Sequence, residues 1–224
     1  MKIFPSYTHI VNPKLKYIYL SFDNSGQLIV KSPKVTQREI ESVLIKKAKW
    51  IEESRYKISQ KRGKPLRGDS AEKLYYLGKE YTINYVKKDS DEDSIKFSKE
   101  EGFTICGREL DIDIIDMGVN EFYRDRAKYH LPTIVDRYAN LMELYPTKLS
   151  FRKAKRQWGS CSGKNAISLN YLMMKLPMDI IEYIIVHELA HIKYKHHQES
   201  FWRLVGSYIS DYKSRQKELK TYTL

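Results

Sequence analysis

Along this chain the spacing of apolar positions changes several times, and each change marks an expected element. Residues 16–22, Lys-Tyr-Ile-Tyr-Leu-Ser-Phe, alternate apolar with polar, and so do Gln27 to Lys31 beyond Asp23-Asn-Ser-Gly26. Two alternating runs across such a turn predict a β-hairpin. Thr36-Gln-Arg-Glu39 then reads as a capping box. It opens a helix that carries Ile40, Val43, Leu44 and Ile51 on one face, carries Lys46, Lys47, Lys49 and Arg55 on a basic face, and ends near Ile58. Residues 59–70 are polar, basic and broken by Gly and Pro, which predicts a linker. Short runs at Leu74–Leu77, Tyr81–Val86, Ile95–Phe97, Phe103–Cys106 and Leu110–Ile115 predict a small antiparallel meander. A helix is expected from about Val119 to Leu144, with a kink or break near His130 because Pro132 cannot donate to the preceding turn. Lys148 to Ala154 alternate as a strand, and Trp158–Ser162 and Ala166–Asn170 flank Gly163-Lys-Asn165 as a second hairpin. A helix opening at Pro177 and Asp179 follows, then apolar residues at helical spacing from Phe201 to Ile209. The fold class is α+β. The N-terminal hairpin and helix occupy 1–60, the main domain occupies 71–224, and the two are joined by the linker or merged into one compact unit.

The helix opening at Pro177 is unusual for what its apolar surface contains. Ile180, Ile181, Ile184, Ile185, Val186, Leu189 and Ile192 make it apolar nearly all round, the mark of a buried central helix. Into that surface the chain sets His187, Glu188 and His191, the pattern H-E-x-x-H. A five-residue pattern with two free positions also arises by chance, so the context decides. A buried carboxylate between two buried imidazoles is costly unless something pairs them, and a divalent metal ion does so. Histidines four apart on a helix share a face and can reach one ion, with Glu188 beside them. Catalytic zinc sites take a third protein ligand. His197 gives the spacing H-E-x-x-H-x5-H, which lets a short turn after Tyr194 return an imidazole to the ion; the alternative is a gluzincin-like acid from the next helix, Asp211 or Glu218. The metzincin pattern has Gly where this chain has Tyr194, so the turn must differ in detail. No G-x-S-x-G elbow surrounds Ser160 or Cys161, which favours water over a side chain as nucleophile.

Four segments together carry a family resemblance: Arg156-Gln-Trp-Gly-Ser-Cys-Ser162, Ile167-Ser-Leu-Asn170, Tyr183-Ile-Ile-Val-His-Glu-Leu-Ala-His191 and His197-Gln-Glu-Ser-Phe-Trp202. They resemble the YgjP-like zinc metalloproteases, most strongly over residues 147–210. Members of that family resemble in their minimal site the SprT/Spartan and yeast weak-suppressor proteases, which cut proteins crosslinked to DNA. The resemblance implies a zincin-like domain with an active-site helix, one Zn2+ held by His187, His191 and His197, and Glu188 as general base. Peptide bonds of a protein or peptide substrate would be hydrolysed by a zinc-bound water that Glu188 activates. The same resemblance makes the hairpin before the helix a cleft rim, with Trp158, Gly159, Ser160 and Asn170 as candidate substrate-binding residues.

Charge adds a second function class. A net charge of +12 favours an acidic partner, nucleic acid first among them, so the competing expectation is a basic nucleic-acid-binding module with a structural zinc site. Arg152, Lys153, Lys155 and Arg156 bring four cations to the expected cleft, to meet acidic substrate, nucleic acid or nearby acids. Asp89, Asp91 and Asp93 resemble the start of a calcium loop, but the Gly and Glu that would complete it are missing, so a solvated loop is expected. His9 and His130 have no ligand-spaced partners and are expected to be structural or exposed. Two cysteines give no disulfide framework, and with no signal-peptide core or bilayer-length apolar run the expected location is the cytoplasm, with no membrane partner.

Overall fold

Leu28 and Val30 of one strand pack with Ile40, Leu44 and Ile51 of two helices to make the core of the smaller of two units, residues 1–65; the larger is 66–222. The computed structural model describes residues 5–23, 26–59, 73–87, 94–108 and 112–222. The expected linker at 59–70 therefore lies outside the described residues except for Ser59, and so does the acidic loop at 89–93.

In the smaller unit the hairpin forms as expected. Strands β2 (Tyr19–Phe22) and β3 (Leu28–Ser32) pair antiparallel, and Asp23 closes the turn by accepting the amides of Gly26 and Gln27. A strand that the sequence pattern did not signal, β1 (Tyr7–Val11), adds parallel to β3. The capping box is present: Thr36 accepts from the Glu39 amide, and the Glu39 carboxylate accepts from the Thr36 amide at 2.8 Å. The expected single helix is two, α1 (Gln37–Lys46) and α2 (Ala48–Ser59), because Lys47 leaves helical geometry at φ −105°, ψ 10°. Neither Gly nor Pro marks that break in the sequence.

The larger unit holds two sheets and four longer helices among its described residues. Strands β4 (Lys73–Tyr76), β5 (Lys79–Lys87), β6 (Ser94–Ser98) and β7 (Gly102–Gly107) lie in the order β4-β5-β7-β6. The small antiparallel meander is thus corrected to two hairpins joined by a parallel β5–β7 pair. The strand expected at Leu110–Ile115 is corrected too, since residues 112–115 open the helix α3 (Ile112–Met142). Local alternation there loses to a longer stripe: Ile115, Val119, Tyr123, Ala127, Leu131, Val135, Ala139 and Met142 recur at helical spacing and are all buried. That stripe also carries α3 through Pro132 without the expected break. Pro inside a helix costs about 3 kcal/mol or more, whereas Leu131 and Val135, at 0% and 1% exposure, each contribute about 1.5–3 kcal/mol by burial.

The second sheet, β8 (Lys148–Arg152), β9 (Gly159–Cys161) and β10 (Ala166–Asn170), has the order β8-β10-β9, with β9 at an edge. A 3₁₀ turn at Tyr171–Lys175 leads to α4 (Met178–Lys193), then α5 (Glu199–Tyr208) and α6 (Tyr212–Leu219). The start of α4 is pinned by the β4–β5 turn. Leu77 and Gly78 donate their amides to the carbonyls of Met174 and Lys175 at 2.8 and 3.2 Å, and a Cβ on Gly78 would meet Pro177 Cγ at 2.7 Å. Among the described residues, no helix is long and apolar enough to cross a membrane.

Candidate metal centre

Helix α4 is buried on nearly every side, and of its two histidines and Glu188 the carboxylate is the most enclosed, at 6% exposure. The chain leaves the helix at Tyr194, whose φ of −124° is extended, so this turn needs no left-handed residue and Tyr serves where metzincins have Gly. His197 comes back to the helix. One nitrogen from each of His187, His191 and His197 lies within 4.8 Å of the others, and the Nε2 atoms of His187 and His197 are 3.1 Å apart. A tetrahedral ion with nitrogens at about 2.0–2.1 Å separates its ligands by about 3.3 Å, so this spacing fits one ion. Asp211 instead pairs with Arg215 at 2.9 Å, and His196 accepts the amide of Gln198.

The surroundings fix each ring. His191 donates from Nδ1 to the Tyr194 carbonyl at 2.9 Å, which leaves Nε2 unprotonated for the neutral ring. Fully buried Phe201 stands 4.6–4.9 Å from all three imidazole rings, with the shortest approach to His191. Trp202 donates its indole N–H to the His197 carbonyl at 3.0 Å and stacks between the His197 and Tyr212 rings. His187 Nδ1 is buried and, among the described residues, has no hydrogen-bond partner. Tyr183 packs edge-on against the same ring.

Burial sets the charge states. It pulls His187 down to about 3, helped by the neighbouring histidines, and it also lowers His191, so both rings are neutral at pH 7, the ligating form. Burial pushes the Glu188 carboxyl up to about 7. Two unshared imidazole nitrogens facing each other beside that carboxylate suit a divalent ion.

The hairpin residues divide. A Cβ on Gly159 would lie 2.6 Å from Glu188 Cγ and 2.7 Å from Oε1, so the β9 backbone rests directly on the carboxylate. Ser160 accepts from Arg152 Nη2 at 3.2 Å, and half-buried Trp158 packs on the core. Asn170 is only 1% exposed. Its Nδ2 donates to the carbonyls of Ala154 and Gln157, and its Oδ1 caps Leu172, so the side chain faces protein on every polar atom. Spacing alone did not signal the Gly159–Glu188 contact, the Trp202–Tyr212 stack or the bonds of Lys195 described below. A cavity of about 470 Å³ between β6, β7 and α3, lined by Ile95, Cys106 and Phe122, contains none of these residues.

The chain belongs to the YgjP-like family: the model of the YgjP-like metallopeptidase domain matches residues 16–222. Membership implies a metal, typically zinc, and a protein or peptide substrate. Among solved structures, the metallopeptidase zymogen of Pyrococcus abyssi abylysin is similar over 42% of this chain and 98% of its own, with 23% identity and a TM-score of 0.38. No curated protein matches the chain.

Proposed function

We propose that this chain is a zinc-dependent peptidase in which His187, His191 and His197 hold one ion and Glu188 is the general base. The convergence of three imidazoles beside a buried carboxylate carries the assignment. A zinc ion bound there would supply Lewis acidity, lowering the pKa of water to about 7 and polarising a peptide carbonyl. Glu188 takes the proton from the attacking water at a carboxylate oxygen and returns it to the departing amine. Burial raises this carboxyl to about 7 in the metal-free site, and a carboxyl held by burial beside the ion can both accept and return a proton. Gly159 leaves room for that carboxylate against β9.

The substrate would lie along β9. Hydrogen-bonded positions alternate in an antiparallel pair, and Asn170 and Ser162 donate to Trp158 and Ala166 respectively. The N–H and C=O of Gly159 and Cys161 therefore point to the free edge, where an extended peptide can add its main chain. Both cysteines are free thiols, which suits a reducing cytoplasm. The competing binding-module class, with nucleic acid as partner and zinc as a structural ion, draws on the +12 charge alone.

Hydrolysis of an unfolded protein by wild type and Glu188→Gln, each assayed for zinc, separates the two. One equivalent of zinc in both, with cleavage only by wild type, supports the peptidase. Undiminished cleavage by the zinc-loaded variant would remove Glu188 as base, and zinc without cleavage by either would favour the binding module.

A further inference from the structure

Fixed cations hold the edge strand β9 at its middle and just past its end. Arg152, on β8, reaches across β10 and donates to Ser160, the central residue of β9. Just past the end of β9, Lys195 Nζ donates to the Ser162 carbonyl at 2.9 Å and Asn165 Oδ1 at 2.7 Å, and lies 3.5 Å from Cys161 Sγ. Lys195 comes just after the Tyr194 cap of α4, so it ties the segment that carries His197 to the hairpin. Two further cations, Lys155 and Arg156, are exposed on the segment just before β9. That segment is held in place because buried Asn170 bonds the carbonyls on both sides of them, at Ala154 and Gln157.

Acids on α3, α4 and α5 pair with other cations. Asp116 is 3.6 Å from Lys153, Glu199 pairs with Arg203, and Glu182 is shared by Arg137 and Arg215. Among the described residues, Arg152, Lys155, Arg156 and Lys195 form no ion pair. From Arg156 to Ser162 the chain spans at most about 20 Å, the reach of six extended residues, with Gly159 and the Glu188 carboxylate in the middle. A peptide added to this edge meets positive charge on both sides of the bond presented to Glu188.

We infer that this edge selects peptide segments rich in Asp and Glu. The inference rests on the peptidase assignment above. Carboxylates flanking the bond to be cut pair with Arg152, Lys155, Arg156 and Lys195 while the main chain pairs with β9. Each exposed pair is worth about 1.4- to fivefold in affinity, so four pairs near the lower end of that range, about 1.8-fold each, together give about tenfold over an uncharged peptide of equal length. Such pairs are screened by salt and fade in about 1 M salt, where the Debye length is about 3 Å.

The test uses two labelled peptides of one length, with Asp and Glu in the first replaced by Asn and Gln in the second. Binding to Glu188→Gln is read by fluorescence anisotropy, and kcat/KM is measured with zinc-loaded wild type. The acidic peptide is expected to bind and to be cleaved about tenfold better. The preference should shrink in high salt and in two separate variants, K155Q/R156Q and R152Q/K195Q, each made in both backgrounds. Equal binding and equal cleavage of the two peptides would overturn the inference and leave the peptidase assignment standing. Acid-selective binding with no cleavage of either peptide would overturn the assignment, and the inference with it. A single-stranded oligonucleotide whose binding falls in both variants, with the peptides bound alike, would give these cations to nucleic acid instead.

Discussion

Replacing Gly159 by Ala perturbs Glu188 and little else. The added methyl would stand 2.6 Å from Glu188 Cγ, 2.7 Å from Oε1 and 2.9 Å from Cδ. Ordinary contact begins near 3.4 Å, so the carboxylate must retreat by about 0.5–0.8 Å. A misplacement of about 1 Å at a reacting group costs about a hundredfold in rate, and on that scale kcat should fall by roughly 10- to 40-fold. The three atoms nearest the methyl all belong to Glu188 and none to an imidazole, so zinc affinity and KM should change little. Overpacking costs about 1–3 kcal/mol. Because Glu188 is buried, that cost should appear in denaturant unfolding of the metal-free protein, and it should vanish in the Glu188→Ala background, where the clashing atoms are gone. The assays are steady-state turnover, zinc content and urea unfolding of both single variants and the double variant. Full activity in Gly159→Ala, or the same stability loss in both backgrounds, would refute the contact as the reason for a glycine there.

Three other outcomes follow from the site and its supports. His197→Ala should lower zinc affinity by at least about tenfold, read by competition with a chromophoric chelator, whereas Asp211→Asn should leave it unchanged because Asp211 is engaged with Arg215. Asn170→Ala strands two carbonyls and uncaps the turn at Leu172, for an expected loss of about 2–4 kcal/mol in chemical unfolding; a loss under about 1 kcal/mol would mean the 154–157 segment is held by other contacts. Burial lowers Lys175 from 10.5 to about 8, with Lys153 adding to the shift. A depressed folded pKa gives stability that is present above 10.5 and lost as pH falls through 8. Unfolding free energy measured relative to Lys175→Met should therefore drop by about 3 kcal/mol between pH 10.5 and pH 7, and a pH-independent difference would mean that Lys175 is solvated.

Much of the candidate site could be read from the chain because the signals were local. His187, Glu188 and His191 sit in one apolar helix, and His197 follows at a distance that a single turn can close. The hairpins around Asp23 and Asn165 were legible for the same reason: turn residues separate alternating runs. The illegible parts depend on tertiary packing. The start of α3 reads as a strand over six residues and as a helix only when the buried stripe down to Met142 is followed. The parallel β5–β7 pair needs the two hairpins to dock side by side, which no local period records. Gly159 gave no sign in the sequence that it faces Glu188, since the two meet only when β9 packs on α4. Asn170 reads equally well as a substrate contact or a clamp until its three bonds are seen.

The claim that three histidines hold one zinc ion is tested most directly by X-ray absorption at the zinc edge on the loaded protein. The account requires one zinc per chain with three imidazole nitrogens at about 2.0–2.1 Å and a light-atom fourth ligand. A sulfur scatterer from Cys161, or only two imidazoles in the shell, would contradict it.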